Sequence, residues 1–120
     1  MQNQSNILSE RLLNYGVNVI KLSTKLNETY AGRHIANQLM RSATSSGANY
    51  EEACSAESKV DFIHKMQIVL KELRESSYWL KLLHKAEILT NEEPSSILSE
   101  TEELIKIVAK SVITSKGLRK

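Results

Sequence analysis

The chain has 120 residues, which suits one domain with a substantial core and excludes two. Hydrophobic residues make up 41% and charged residues 25%, with only four glycines and one proline, so a loop-rich or all-β design is excluded. A formal net charge of +2 excludes a strongly basic nucleic-acid tail, and the single Cys54 excludes an intramolecular disulfide or a cysteine-rich zinc site.

Residues 1–6 are polar and carry no signal-peptide pattern, and no apolar run approaches the ~20 residues needed to cross a bilayer. A cytoplasmic chain without a membrane partner is therefore expected. The periodicity predicts an all-α, antiparallel up-down-up-down four-helix bundle occupying residues 1–120 as one domain, with helices at about 7–26, 33–55, 58–89 and 94–115.

In the first helix Leu8, Leu12, Val19 and Leu26 share a stripe, with Tyr15 beside it and Ser5 as N-cap. Residues 27–32 break the pattern and supply a turn. The second helix carries Ile35, Leu39, Ser42, Ser46, Asn49 and Ala53 on one face, flanked by Ala36, Met40, Ala43, Gly47 and Cys54. Such small side chains let neighbouring helices approach closely.

The third helix has a core stripe of Phe62, Met66, Val69, Leu73 and Leu80, flanked by Ile63 and Leu70. A second seam, read as lying on the opposite side, contains Ile68, Glu72, Glu75, Trp79, Leu82 and Ala86. One stripe is enough for a monomeric bundle, so Ile68, Trp79, Leu82 and Ala86 are expected to form an oligomer interface. Residues 90–94 make the last turn, with Pro94 early in the fourth helix, whose stripe is Ile97, Thr101, Leu104, Ile105, Val108 and Val112. Acids dominate from Glu87 to Glu103 and bases from Leu104 onward, a distribution that complements the helix dipole.

The polar residues of the second helix need partners. In a hairpin turning near Glu57, Arg41 stands level with about Leu73 and within reach of Glu72 or Glu75. Arg41, Ser45, Asn49, Glu52, Glu72 and Glu75 are accordingly expected to form a structural polar network that sets register; a ligand site at Arg41, Asn49, Glu52 and Glu75 is the other reading. Nothing in it looks like an activated nucleophile. A carboxylate di-iron bundle needs paired Glu-x-x-His motifs, whereas the near match is Asp61-x-x-His64 alone, and His84 falls on the core stripe. No metal, cofactor or small-molecule substrate is expected, and Cys54 is read as a buried, inert thiol. The candidate nucleic-acid contacts are Arg11, Lys21, Lys25, Arg33, Lys116, Arg119 and Lys120, bases without interleaved aromatics that would touch backbone rather than read sequence.

Two motif blocks carry a family resemblance. Arg41-Ser42-Ala43-x-Ser45-x-Gly47-Ala48-Asn49-x-x-Glu52-Ala53 is followed by Asp61-Phe62-Ile63, Lys71-Glu72-x-x-Glu75 and Tyr78-Trp79-Leu80-x-Leu82-Leu83. Together they resemble the bacterial four-helix bundle proteins of the 23S rRNA-intervening-sequence family. The resemblance implies an up-down bundle assembling as a homopentameric ring with a central channel, and it assigns no catalytic residue. It also implies kinship with the accessory variability determinants of diversity-generating retroelements, which bind nucleic acid and partner a reverse transcriptase. Ser46 and Tyr50 depart from the family's more usual aliphatic residues, and the chain is less basic than the retroelement branch. The expectation is a non-enzymatic homo-oligomer, touching RNA or DNA through its backbone; the alternative is a protein-binding scaffold without a nucleic-acid role.

Overall fold

Capping side chains decide where the helices begin. The computed structural model describes residues 3–89 and 93–117, apart from the Gln4 side chain. Its helices are α1 (Gln4–Ser23), continued by a 3-10 turn at Thr24–Leu26, then α2 (Tyr30–Cys54), α3 (Lys59–Lys85) and α4 (Glu93–Ser115). Asn3 rather than Ser5 caps α1, its Oδ1 accepting from the Asn6 N–H at 2.9 Å. Thr29 Oγ1 accepts from the Gly32 N–H at 2.9 Å, so α2 starts at Tyr30 and residues 30–32 are helical rather than part of the turn. Ser58 caps α3 through the Asp61 N–H at 3.0 Å. Each cap satisfies an N–H that the helix itself leaves without a partner.

The end of α3 also differs from the periodic pattern, which continues to Leu89. Glu87 adopts a left-handed conformation with φ 57°, and the Ile88 N–H bonds back to the Leu83 carbonyl at 3.2 Å. That closure stops the helix at Lys85 and turns Ile88 onto the core. The expected turn at residues 90–92 lies outside the described residues.

Chain neighbours are spatial neighbours: α1 packs on α2, α2 on α3, α3 on α4, and α1 closes the square against α4. Gly16 faces Thr44 while Gly47 faces Leu12, which fixes α1 and α2 as antiparallel. The bundle measures 45 × 26 × 25 Å. Its core holds Leu12, Val19, Leu22, Leu39, Ala43, Val69, Leu73, Leu80, Leu83, Leu104 and Val108, nearly all from the apolar stripes.

Because α3 touches both α2 and α4, its buried arc is broader than one stripe. Glu72, Ser76 and Ser77 are buried on it, and Trp79 packs against the core edge. The seam of Ile68, Glu72, Glu75, Trp79 and Leu82 is therefore the shoulder of α3 toward α2, not its far side. Lys71, Arg74, Tyr78 and Lys81 face solvent instead. His84 is exposed, about one 100° step around from buried Leu83. Cys54, the last residue of α2, is exposed rather than buried, because the helix ends there and its other face carries the packing.

Candidate functional site

Arg41 is the hub of the densest polar cluster. It projects from the middle of α2 toward α3, with Nη1 donating to Glu72 Oε1 at 3.4 Å and Nη2 donating to Glu75 Oε2. Trp79 Nε1 donates to the same Glu75 oxygen at 3.0 Å, one helical turn along α3. The Trp79 ring in turn meets His34 edge-on at 6.1 Å and Tyr78 at 5.2 Å. Glu72 is 7% exposed and pairs with Arg41.

The electrostatics are those of a closed network. The Arg41 guanidinium, followed by the Trp79 N–H, holds the Glu75 carboxyl below its ordinary value of 4.5, and Glu75 raises Arg41 in return. Among the described residues no group of three or more His, Cys, Asp and Glu side chains is arranged to hold a metal. The cluster ties α2 to α3.

This pairing has a pH signature. A folded-state value below the unfolded one contributes stability that is present above about pH 4.5 and lost as pH falls through the folded value. In urea unfolding from about pH 7 to about pH 3, wild type is expected to exceed Glu75→Gln at neutral pH, with the gap closing in acid. A gap that is constant or widens in acid would contradict the pairing.

The other network residues go elsewhere. Asn49 Nδ2 donates to the carbonyl and hydroxyl of Ser45 at 2.9 and 3.0 Å, all within one turn of α2. Glu52 accepts from Lys65 Nζ at 2.6 Å near the bottom of the α2–α3 pair. The expected single network is thus three separate pieces, since side chains on one helix edge take whatever partner stands opposite at their own height.

A second polar layer, not anticipated as a unit, lies inside the core. Tyr15 OH and Thr101 Oγ1 are 2.7 Å apart, and Ser42 Oγ and Ser76 Oγ 2.8 Å apart, so each helix contributes one hydroxyl to this layer. Thr101 also donates to the Ile97 carbonyl of its own helix, while of Ser42 and Ser76 one donates across the pair and the other to a carbonyl of its own helix, at Leu39 or Glu72. Burial raises the Tyr15 hydroxyl above its ordinary value. The signal was present in the sequence as hydroxyl residues at core positions of four different stripes.

The candidate nucleic-acid residues do not form one surface. Arg11 of α1 is paired with Glu100 at 2.7 Å and Lys25 of the 3-10 turn with Glu93 at 2.6 Å, both ties to α4. Lys21, Lys25 and Arg33 stand around the α1–α2 turn, where Arg33 donates to the Asn27 carbonyl at 2.9 Å. Lys116 follows α4 at the opposite end of the 45 Å bundle. Arg119 and Lys120 lie outside the described residues.

Exposed apolar surface is concentrated on α1. Leu13, Val17 and Ile20 are 63%, 41% and 43% exposed and occupy one stripe. With Gly16 of α1 and Thr44, Gly47 and Ala48 of α2 they line a shallow groove of about 330 Å³. The small residues leave the groove floor open. Sequence reasoning assigned the interface to Ile68, Trp79, Leu82 and Ala86, of which the first three are half-buried on the α3 shoulder and Ala86 is exposed at the end of α3.

Comparison with known proteins adds a family. The model of the 23S rRNA-intervening sequence protein family matches residues 5–110. A crystal structure from Bacteroides thetaiotaomicron, described as a protein of unknown function from the S23 ribosomal protein family, superposes with a TM-score of 0.85 at 34% identity. The match covers 92% of this chain and 98% of that one. No curated protein matches. No helix among the described residues is long and apolar enough to cross a membrane.

Proposed function

The chain belongs to the 23S rRNA-intervening sequence protein family, and on that premise we propose that it is a non-enzymatic bundle that works as a closed homo-oligomeric ring, a pentamer. The observation that carries this reading is the exposed Leu13–Val17–Ile20 stripe beside the groove floored by Gly16, Gly47 and Ala48. A solvated stripe of that kind is the signature of a surface that is covered in use. A cyclic ring needs two different patches that fit each other. The second is the α3 shoulder, where Trp79 and Leu82 adjoin Tyr78, which is 57% exposed. The groove is floored by small residues and the shoulder is aromatic, and they lie on either side of α2, so the two patches are distinct, as a cyclic ring requires.

Light scattering tests it. Wild type is expected to scatter as several copies of the 13.6 kDa chain, and Leu13→Glu and Tyr78→Glu each as one copy with helicity intact. Mixing the two variants should restore a dimer, because each retains the patch the other lacks. A monomeric wild type at micromolar concentration sinks the ring.

A nucleic-acid or ribonucleoprotein accessory role is the second reading, favoured by the grouping of Lys21, Lys25 and Arg33 at one end of the bundle. A ring repeats that modest patch and raises the local field. Binding to structured RNA or duplex DNA should then weaken steeply with salt and fall further in Lys21→Glu/Arg33→Glu. Absence of binding at low salt leaves a ring that serves as a protein-binding scaffold.

A further inference from the structure

An open pit of about 760 Å³ lies at the end of the bundle where α1 and α3 begin and α2 and α4 finish. Its floor is apolar and closed: Leu8, Ala53 and Met66 are 8%, 2% and 1% exposed. Phe62 and Ile107 form half-buried walls. Among the described residues no acidic side chain lines it, and the one cation that does is Lys110, exposed at the rim and in no ion pair with a described residue. The Tyr50 hydroxyl beside it is already engaged, donating to the Ser5 carbonyl at 3.2 Å.

Those features specify a ligand chemistry. A cavity of this size with apolar walls and one convergent charge is the usual form of a small-molecule site. The base disfavours a cationic head and favours an anionic one, and the polar groups stand with Lys110 away from the Leu8–Ala53–Met66 floor, which suits an alkyl body. We propose that this pit binds a medium-chain alkanoate, the alkyl chain lying against Leu8, Phe62, Met66 and Ile107 and the carboxylate meeting the Lys110 ammonium. Ser111, also at the rim, has a hydroxyl available to the carboxylate. The pit is formed within one chain, so the inference does not depend on assembly.

Cys54 reports on occupancy. It is the one cysteine of the chain, it is exposed, and it lines the rim of the pit. The experiment measures the rate of Cys54 alkylation by neutral iodoacetamide on the full chain, with added decanoate or decyltrimethylammonium below their micellar concentrations. Decanoate is expected to slow alkylation saturably, at least fivefold, and octanoate to need about tenfold more for the same effect, as two fewer buried methylenes imply. Decyltrimethylammonium should protect weakly, Lys110→Glu should lose the decanoate effect, and Lys21→Glu at the far end should keep it. Circular dichroism in each ligand checks that the helices persist. No protection by decanoate, equal protection by both amphiphiles, or full protection in Lys110→Glu would each overturn the proposal.

Discussion

Replacing Tyr15 with alanine is expected to cost about 3–5 kcal/mol of folding stability, the largest effect of any single change considered. Tyr15 is 1% exposed at the centre of the bundle and is the largest of its fully buried side chains. Truncation removes that packing and leaves a cavity among four helices that are too short-linked to collapse into it. Tyr15→Phe separates the hydroxyl from the ring. Thr101 Oγ1 keeps its bond to the Ile97 carbonyl at 2.7 Å, so no buried donor is orphaned and the expected cost is about 1 kcal/mol. Urea unfolding of the two variants checks both numbers. If phenylalanine is as damaging as alanine, the hydroxyl layer rather than the packing holds the centre together.

Gly32→Ala carries the second-largest expected effect, and its sign opposes propensity. Alanine in a helix is ordinarily favoured over glycine by about 1 kcal/mol. At Gly32 a Cβ would lie 2.6 Å from the Leu26 carbonyl oxygen and 2.9 Å from Thr29 Oγ1, the atom that caps α2. The first contact is with backbone, which cannot rotate away, so the 3-10 turn or the cap must shift. A loss of about 2–3 kcal/mol is expected, the combined scale of a steric clash and a broken cap. Gly16→Ala is the internal control. Its Cβ would meet only Thr44 Cγ2 at 3.9 Å, an ordinary contact, so in the Leu13→Glu background, where the groove seats no second copy, propensity should prevail and stability should hold or rise. Thermal melts that rank the two substitutions the other way would contradict the geometry.

The two glycines also illustrate how much of the molecule is legible before folding. Their identical chemistry says nothing about which one sits under a carbonyl. That depends on a 3-10 turn at Thr24–Leu26, which local pattern reads simply as a helix running to Leu26. Similarly, the Arg41 cluster could be anticipated as far as its acids, because an antiparallel hairpin brings Glu72 and Glu75 level with Arg41. The inclusion of Asn49 and Glu52 in the same network could not be decided. Asn49 has a partner one turn away in Ser45, and Glu52 is nearer to Lys65 than to any part of Arg41's surroundings.

The sequence by itself determined the four helices, their antiparallel order and nearly all of the core. Those follow from 3.6-residue periodicity, cap residues and short connections, which act over a few residues and need no partner to be read. It also carried the match to the family, which spans residues 5–110. Only the tertiary structure decided what each half-apolar face is for. Periodicity gives the angle of a side chain about its own axis but not whether a neighbour covers that angle. Trp79 thus faces outward by its angle alone, although α2 stands beside it, and the pattern of α1 does not reveal that Leu13, Val17 and Ile20 stay exposed among the described residues. The same reason separates Lys21 from Lys116 by the length of the bundle and gathers Leu8, Phe62, Ile107 and Lys110 from three helices into one pit.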